Sequence, residues 1–247
     1  MKTIDGAGTT RRGFLRAAGT AVAALALAHA ARPARGAEAG LKIGIVGSGR
    51  IGGTLGELWL KAGHEVMFSS LDLEHDKALA ARLGGKARAG TPREAAAFGE
   101  IVLVAVPYSA LPQLGRDLAD TLKGKAVLDT CNPIPGRDGE IANWAREKGA
   151  GLASAELLRG ARLVRAFNAI GYSRLPEIRQ RQGERVGMPM AGDDPAALAV
   201  ASRLVRDVGF EPVVVGPLAM GRYLIPGTPL AGEHTPAQIR QIAATLK

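Results

Sequence analysis

The run Leu41-Lys42-Ile43-Gly44-Ile45-Val46 leads directly into Gly47-Ser48-Gly49-Arg50-Ile51-Gly52, and this junction restricts the chain more than any other stretch. A short apolar run rich in β-branched residues reads as a buried strand. From Arg50 to Ala62, the residues Ile51, Leu55, Leu58 and Trp59 recur on one face at helical spacing, and Gly63 stops the pattern. A strand that turns through three glycines into a helix is the opening of a βαβ unit. Gly47 permits the tight turn, Gly49 lets backbone approach a ligand, and Gly52 lets helix and strand pack closely. The helix start then offers unpaired N–H groups and a positive dipole end to an anion. Residues Gly47, Ser48, Gly49, Arg50, Ile51 and Gly52 are therefore the expected pyrophosphate site of a nicotinamide dinucleotide.

The rest of the chain keeps the same rhythm. His64–Ser69 and Lys86–Ala89 read as the second and third strands, with a helix over Glu74–Leu83 between them. Thr91-Pro92-Arg93-Glu94 has the form of a helix start with a capping box. Ile101–Val106 is apolar throughout, as a strand buried on both faces must be, and it breaks at Pro107. A helix is expected over Leu111–Leu122, and further strands at Ala126–Asp129, Leu163–Phe167, Val186–Met190 and Glu211–Val215. Helices near Ala196–Val208 and Pro236–Leu246 complete the series. Strand alternating with helix predicts an α/β, Rossmann-like doubly wound, mostly parallel sheet with helices on both faces. The stretch Asn132–Gly139 is the main interruption, a loop at a strand's carboxyl end, where ligands bind in open α/β sheets.

Coenzyme choice is read at the end of the second strand. A site for NAD normally places Asp or Glu there to hold the ribose hydroxyls. Here the strand ends Phe68-Ser69-Ser70, and two hydroxyls without an adjacent carboxylate suit a 2′-phosphate, with Arg50 available to add charge. The reading favours NADP(H) over NAD(H). Asp72 keeps the other choice open, because a carboxylate pointing inward there would accept from the ribose. Val106-Pro107-Tyr108 borders the ribose and nicotinamide, and Tyr108 either stacks on a ring or packs on the next helix. Asn132, in Asp129-Thr130-Cys131-Asn132-Pro133, and Asn168 with Ala169, in Ala166-Phe167-Asn168-Ala169, would converge on the same edge or cap local turns.

Other features narrow the field. Residues 1–36 hold Lys2, Arg11, Arg12, Arg16, Arg32 and Arg35 against Asp5, a net +5 of the chain's +9. The remaining charge is interleaved, which argues against a nucleic-acid partner. Thr10-Arg11-Arg12-Gly13-Phe14-Leu15-Arg16, the apolar run Ala17–Ala31 and a small-residue exit resemble a Tat-type signal peptide. That run is too short and alanine-rich to span a bilayer. The expectation is an exported, periplasmic protein without a membrane span in its mature form, in which residues 37–247 make a single NAD(P)-binding domain with a short C-terminal extension. Cys131 is the lone cysteine, so no intrachain disulfide can form. His64, His75 and His234 are scattered and read as surface or strand-edge residues. Gly192-Asp193-Asp194-Pro195 looks like a metal motif but reads better as an N-cap aspartate before a helix-starting proline, and no metal is expected. No lysine or histidine pairs with a carboxylate as a base for alcohol oxidation, so no catalytic residue is assigned.

The blocks GSGRIGGTLGELWLKAGHEV, VLVAVPYSALPQL, VLDTCNP, VRAFNAIG, MPMAGDDPAA and VGPL, in this order over residues 41–226, resemble the NADPH-dependent deazaflavin (coenzyme F420) reductase family. A related module also occurs in membrane ferric reductases. The resemblance implies an oxidoreductase that moves hydride between NADP(H) and a small-molecule acceptor, namely deazaflavin coenzyme F420 or a flavin. It places the pyrophosphate at Ser48, Gly49, Arg50 and Ile51, the 2′-phosphate at Ser69 and Ser70, and the nicotinamide beside Val106 and Ala169. Where family members frequently carry arginine, this chain has Ser70-Leu71, and Arg50 or Arg93 would have to substitute. A non-catalytic NAD(P)-binding protein or subunit of a periplasmic complex is the alternative reading, and the oligomeric state stays open, a homodimer included.

Overall fold

The computed structural model of the chain describes residues 39–246. The leader read in residues 1–36 lies outside the described residues. Eight strands form one sheet in the order β3-β2-β1-β4-β5-β6-β7-β8. They are β1 (Lys42–Val46), β2 (Glu65–Ser69), β3 (Ala87–Ala89), β4 (Ile101–Val104), β5 (Ala126–Asp129), β6 (Arg162–Arg165), β7 (Gly187–Gly192) and β8 (Glu211–Gly216). All neighbouring strands run parallel except β6 and β7, which pair antiparallel. The result is the Rossmann-like, mostly parallel sheet with helices around it. The reversal at β7 has no signature in an apolar run, because strand direction is set by the connection and not by the residues of the strand.

Side-chain alternation divides the interior into two layers. Ile43, Ile45, Ile101, Leu103 and Leu128 enter one core, while Val46, Val102, Val104 and Val127 enter the other. A sheet covered on both faces needs apolar residues at successive positions, which is what β1, β4 and β5 supply. On the first face lies α1 (Arg50–Lys61), which buries Leu55, Leu58 and Trp59. Each such side chain contributes on the order of 1.5–3 kcal/mol on removal from water. The Trp59 indole N–H donates to the Leu204 carbonyl at 3.1 Å, which ties α1 to α10 (Pro195–Asp207). Its ring meets Phe167 edge-on, and Phe167 meets Phe210 the same way, at centroid distances of 6.1 and 6.3 Å.

Local rules set the helix starts. Thr91 and Glu94 close a capping box on α3 (Pro92–Phe98), and Thr235 and Gln238 close another on α11 (Pro236–Thr245). Asp194 caps α10 by accepting from the Ala197 amide, and Asp193 accepts from the Leu218 amide, so this aspartate pair does local structural work. Asp72 caps α2 (Leu73–Leu83) through the His75 amide. The helix expected over 111–122 is divided at Leu118 into α4 (Leu111–Asp117) and α5 (Ala119–Leu122). Inside the stretch read as a loop, proline starts the single turn α6 (Pro135–Asp138), and α7 (Glu140–Lys148) and α8 (Ala150–Leu157) follow it. After β6 the chain makes the turn α9 (Leu175–Ile178). Among the described residues no helix is long and apolar enough to cross a membrane.

His64 takes the strand-edge position and not the surface one: it precedes β2 and is buried. Its Nδ1 accepts from the Leu41 amide at 3.1 Å, which leaves Nε2 to donate to Asp207 at 3.0 Å. Burial lowers the imidazole pKa below its ordinary 6.5, against the opposing pull of Asp207. The fold therefore favours the neutral ring. Its contribution is complete above the unfolded value and is lost as pH falls below it, because the unfolded chain then takes up the proton first. Denaturant titrations should show stability declining as pH drops below about 6.5, and His64→Gln should flatten that limb of the profile relative to the parent.

Candidate functional site: the coenzyme cleft

Strand order reverses at β1, with β2 and β3 on one side and β4, β5 and β6 on the other. A crevice opens at the carboxyl ends of the strands at such a switch point. Here it is a cleft of about 630 Å³ bordered by Val46, Gly47, Gly49 and Ser70 on one side and Val106, Pro107 and Leu114 on the other.

The three glycines occupy it in three ways. Gly47 has φ +102°, and a Cβ there would overlap the Ala105 carbonyl. At Gly52 a Cβ would overlap the carbonyl oxygen of Gly47, so α1 meets the turn backbone to backbone. Gly49 differs: a Cβ there meets nothing within 4 Å, because this residue faces the open cleft. As N-cap it has no side chain to satisfy the first amides of α1, which belong to Arg50, Ile51 and Gly52. Those donors and the helix dipole suit a diphosphate, so the residues fit the coenzyme that the sequence suggested.

Several expected contacts need correction. Ser48 is buried, its amide donates to the Ser69 carbonyl at 2.9 Å, and its hydroxyl donates to Asp76. It fastens the turn and leaves the first amides of α1 unoccupied by this side chain. Ser69 is fully buried and its hydroxyl donates to the Ile45 carbonyl at 2.7 Å, so it has no proton for a 2′-phosphate. Tyr108 does not stack in the cleft. It lies in the second core, where its hydroxyl reaches Ser154 at 3.1 Å and the Ala150 carbonyl at 3.3 Å, and burial raises its pKa well above the ordinary range. The two stand-in arginines are engaged elsewhere. Arg93 pairs with Asp120 at 2.8 Å and donates to the Asp117 carbonyl, and the Arg50 guanidinium lies 5.7 Å from the Tyr172 ring centre.

Ser70 remains at the cleft, half-buried, with Leu71 fully exposed beside it. Val106 and Pro107 line the opposite wall. Asn132, Asn168 and Ala169 gather at the ends of β5 and β6. The Asn132 side-chain amide donates to the Asn168 carbonyl at 2.9 Å, and Ala169 accepts from the Gly232 amide. They form a braced wall of this edge, and pocket-lining contacts of the cleft do not include them.

That wall rests on residues the sequence reading did not assign. Arg165 and Asp129 are fully buried and form an ion pair at 2.6 Å. The same guanidinium donates to the Cys131 carbonyl and to the Asn132 side chain, both at 3.1 Å. Removing one partner of a buried pair of this kind costs about 3–5 kcal/mol. An arginine in the strand Arg162-Leu163-Val164-Arg165, beside a strand ending in Asp129, was the available signal. Next along, Phe167 adopts φ +61°, unusual for a bulky residue, and its ring is held between Trp59 and Phe210. The turn presents Asn168 to Asn132. Across the edge, buried Asp138 accepts from the Ser109 and Ile134 amides at 3.3 and 3.0 Å, joining the segments after β4 and β5.

The glycine geometry separates two substitutions. Gly49→Ala should leave denaturant stability nearly unchanged while weakening dinucleotide binding about tenfold in calorimetry. Gly52→Ala should lower stability by about 1–3 kcal/mol through overpacking.

Known proteins place this geometry. Residues 42–133, from β1 to the segment after β5, match the family described as NADP oxidoreductase coenzyme F420-dependent. The chain is 31% identical over 184 residues to Metalloreductase STEAP3 of Rattus norvegicus, a match covering 73% of this chain and 35% of that protein, so it spans about a third of that relative. With the F420-dependent NADP reductase of Methanothermobacter thermautotrophicus it shares 29% identity over 208 residues, covering 77% of this chain and 87% of the relative. The crystal structure of a putative F420-dependent NADP-reductase from Arthrobacter sp. FB24 superposes with a TM-score of 0.64 at 23% identity, over 74% of this chain and 88% of the other. Residues 42–133 thus carry the signature of the coenzyme F420-dependent NADP oxidoreductase family, set in a Rossmann-like α/β domain.

Proposed function

We propose that this chain is an NADP(H)-linked oxidoreductase that exchanges hydride with a flat, conjugated small molecule, with deazaflavin coenzyme F420 or a flavin as the acceptor. The observation that carries the reading is the open face of Gly49 at the start of α1, within the stretch that matches the family. The named activities of the relatives support the same chemistry.

In this reading the amides of Arg50, Ile51 and Gly52 hold the pyrophosphate, Ser70 and Leu71 border the adenosine ribose, and Val106 and Pro107 line the path toward the nicotinamide. The bound coenzyme supplies the hydride. The chain's own part is to fix the angle and distance between two rings and to keep water from between them, which is where proximity and orientation act. Ring-to-ring transfer does not require a paired acid and base. The braced wall of Asn132 and Asn168, locked by Arg165, suits a rigid stop for the acceptor. Mixing the purified protein with NADPH and, separately, coenzyme F420, FMN or ferric citrate should consume NADPH with at least one, followed by loss of nicotinamide absorbance. No turnover with any of them overturns the oxidoreductase reading.

We also propose that the protein is exported to the periplasm. The paired Arg11-Arg12, the alanine-rich run behind it and the small-residue exit support this. In a Gram-negative host the full chain should fractionate with periplasmic proteins, and replacing both arginines by lysine should hold it in the cytoplasm. Equal distributions for the two forms would defeat the proposal.

A further inference from the structure

Behind the ribose end of the cleft lies a carboxylate that no expectation had placed there. Asp76 sits in the first turns of α2 and is completely buried. One of its oxygens accepts from the Ser48 hydroxyl, and the other accepts from the Ser70 hydroxyl at 2.8 Å. It thereby links the glycine turn to the segment after β2, alongside the Gly47 and Ser48 amides that donate to the Ser69 carbonyl.

Two consequences bear on the ligand. The first is directional. A serine hydroxyl has one proton, and the Ser70 proton goes to the carboxylate, the shorter of its two acceptor contacts. The Asp72 amide donates to Ser70 Oγ at 3.1 Å, so what this oxygen still offers the cleft is a lone pair. A ribose 2′-hydroxyl can donate to a lone pair, whereas a 2′-phosphate can only accept. The second consequence is charge. The two arginines that the sequence offered for this end are engaged elsewhere: Arg93 is held by Asp120 and the Asp117 carbonyl, and Arg50 leans over Tyr172, which follows β6 on the opposite side of β1. Leu71, at the rim, is apolar.

We propose that Asp76 is the positioning residue that sets coenzyme selectivity, turning Ser70 into an acceptor for a free ribose hydroxyl so that the cleft takes NAD(H) alongside NADP(H). This rests on the dinucleotide reading and deepens it. Asp76 touches no ligand and acts through Ser70. Asp76→Asn keeps the size of the side chain, removes its charge and offers an amide that can donate to one serine, freeing a hydroxyl proton for the cleft.

The test compares Kd for NADPH and NADH by calorimetry on the full chain, parent and variants. Asp76→Asn should raise the preference for NADPH over NADH by about tenfold. Ser70→Ala, at a half-buried position, should weaken NADH by a clearly larger factor than NADPH. If Asp76→Asn does not fold, Ser70→Ala decides alone. An unchanged ratio in a folded Asp76→Asn variant overturns the proposal, as does a selective loss of NADPH in Ser70→Ala, which would show Ser70 donating to a phosphate. A parent protein that binds neither coenzyme overturns the dinucleotide reading itself, a result distinct from either ratio.

Discussion

The approach of α1 to the sheet is the constraint on which the cleft depends. At Gly52 and Gly56 any side chain would overlap, respectively, the Gly47 carbonyl and the Phe68 ring, and at Gly44 it would overlap the Ala95 carbonyl on the opposite face. Backbone therefore lies on backbone around β1. This closeness fixes where α1 begins, and so where its unpaired amides point. A helix standing off by one methyl group would aim the same donors elsewhere. The glycines set the geometry of the site before any functional side chain is counted.

Around that turn, polar groups inside the protein do the fastening. Asp76 gathers Ser48 and Ser70 on one side of β1, while Arg165 gathers Asp129, Cys131 and Asn132 at the carboxyl ends of β5 and β6. Buried charge is costly unless it is paired and hydrogen-bonded, and each group here has several partners. Both networks join loops to strand ends, where a purely apolar contact would fix position but not direction. The left-handed Phe167 belongs to the same scheme, because a backbone conformation that costs on the order of 1–2 kcal/mol is offset by a ring clamped between two aromatics.

The fold could be read closely because its signals are local. Apolar runs marked most of the strands, the spacing between helices marked the short β3, and Thr91, Asp194 and Pro236 marked helix starts. The helices of residues 135–157 were not read, since Pro135-Gly136 looks like a loop and hides the turn that leads into α7. At the site, the glycine turn was legible because backbone geometry restricts residue type there. Side-chain direction was not. Ser69 and Ser70 are adjacent in sequence, yet strand alternation turns one toward the Ile45 carbonyl and leaves the other at the cleft. Tyr108, Asp76 and Arg165 depend on Ser154, Ser48 and Asp129, which lie 46, 28 and 36 positions away, and no short motif encodes such distances.

The reversed direction of β7 has an electrostatic result. Strands β1 to β6 all run toward the sheet edge that carries the cleft, but β7 ends toward the start of β6, where Asp194 lies 3.4 Å from Arg162. A parallel seventh strand would deliver Asp193 and Asp194 to the same sheet edge as the glycine turn. Turning the chain around sends both acids to the far side of the molecule. The reversal, which β8 shares, thus keeps both acids off the edge where the glycine turn opens.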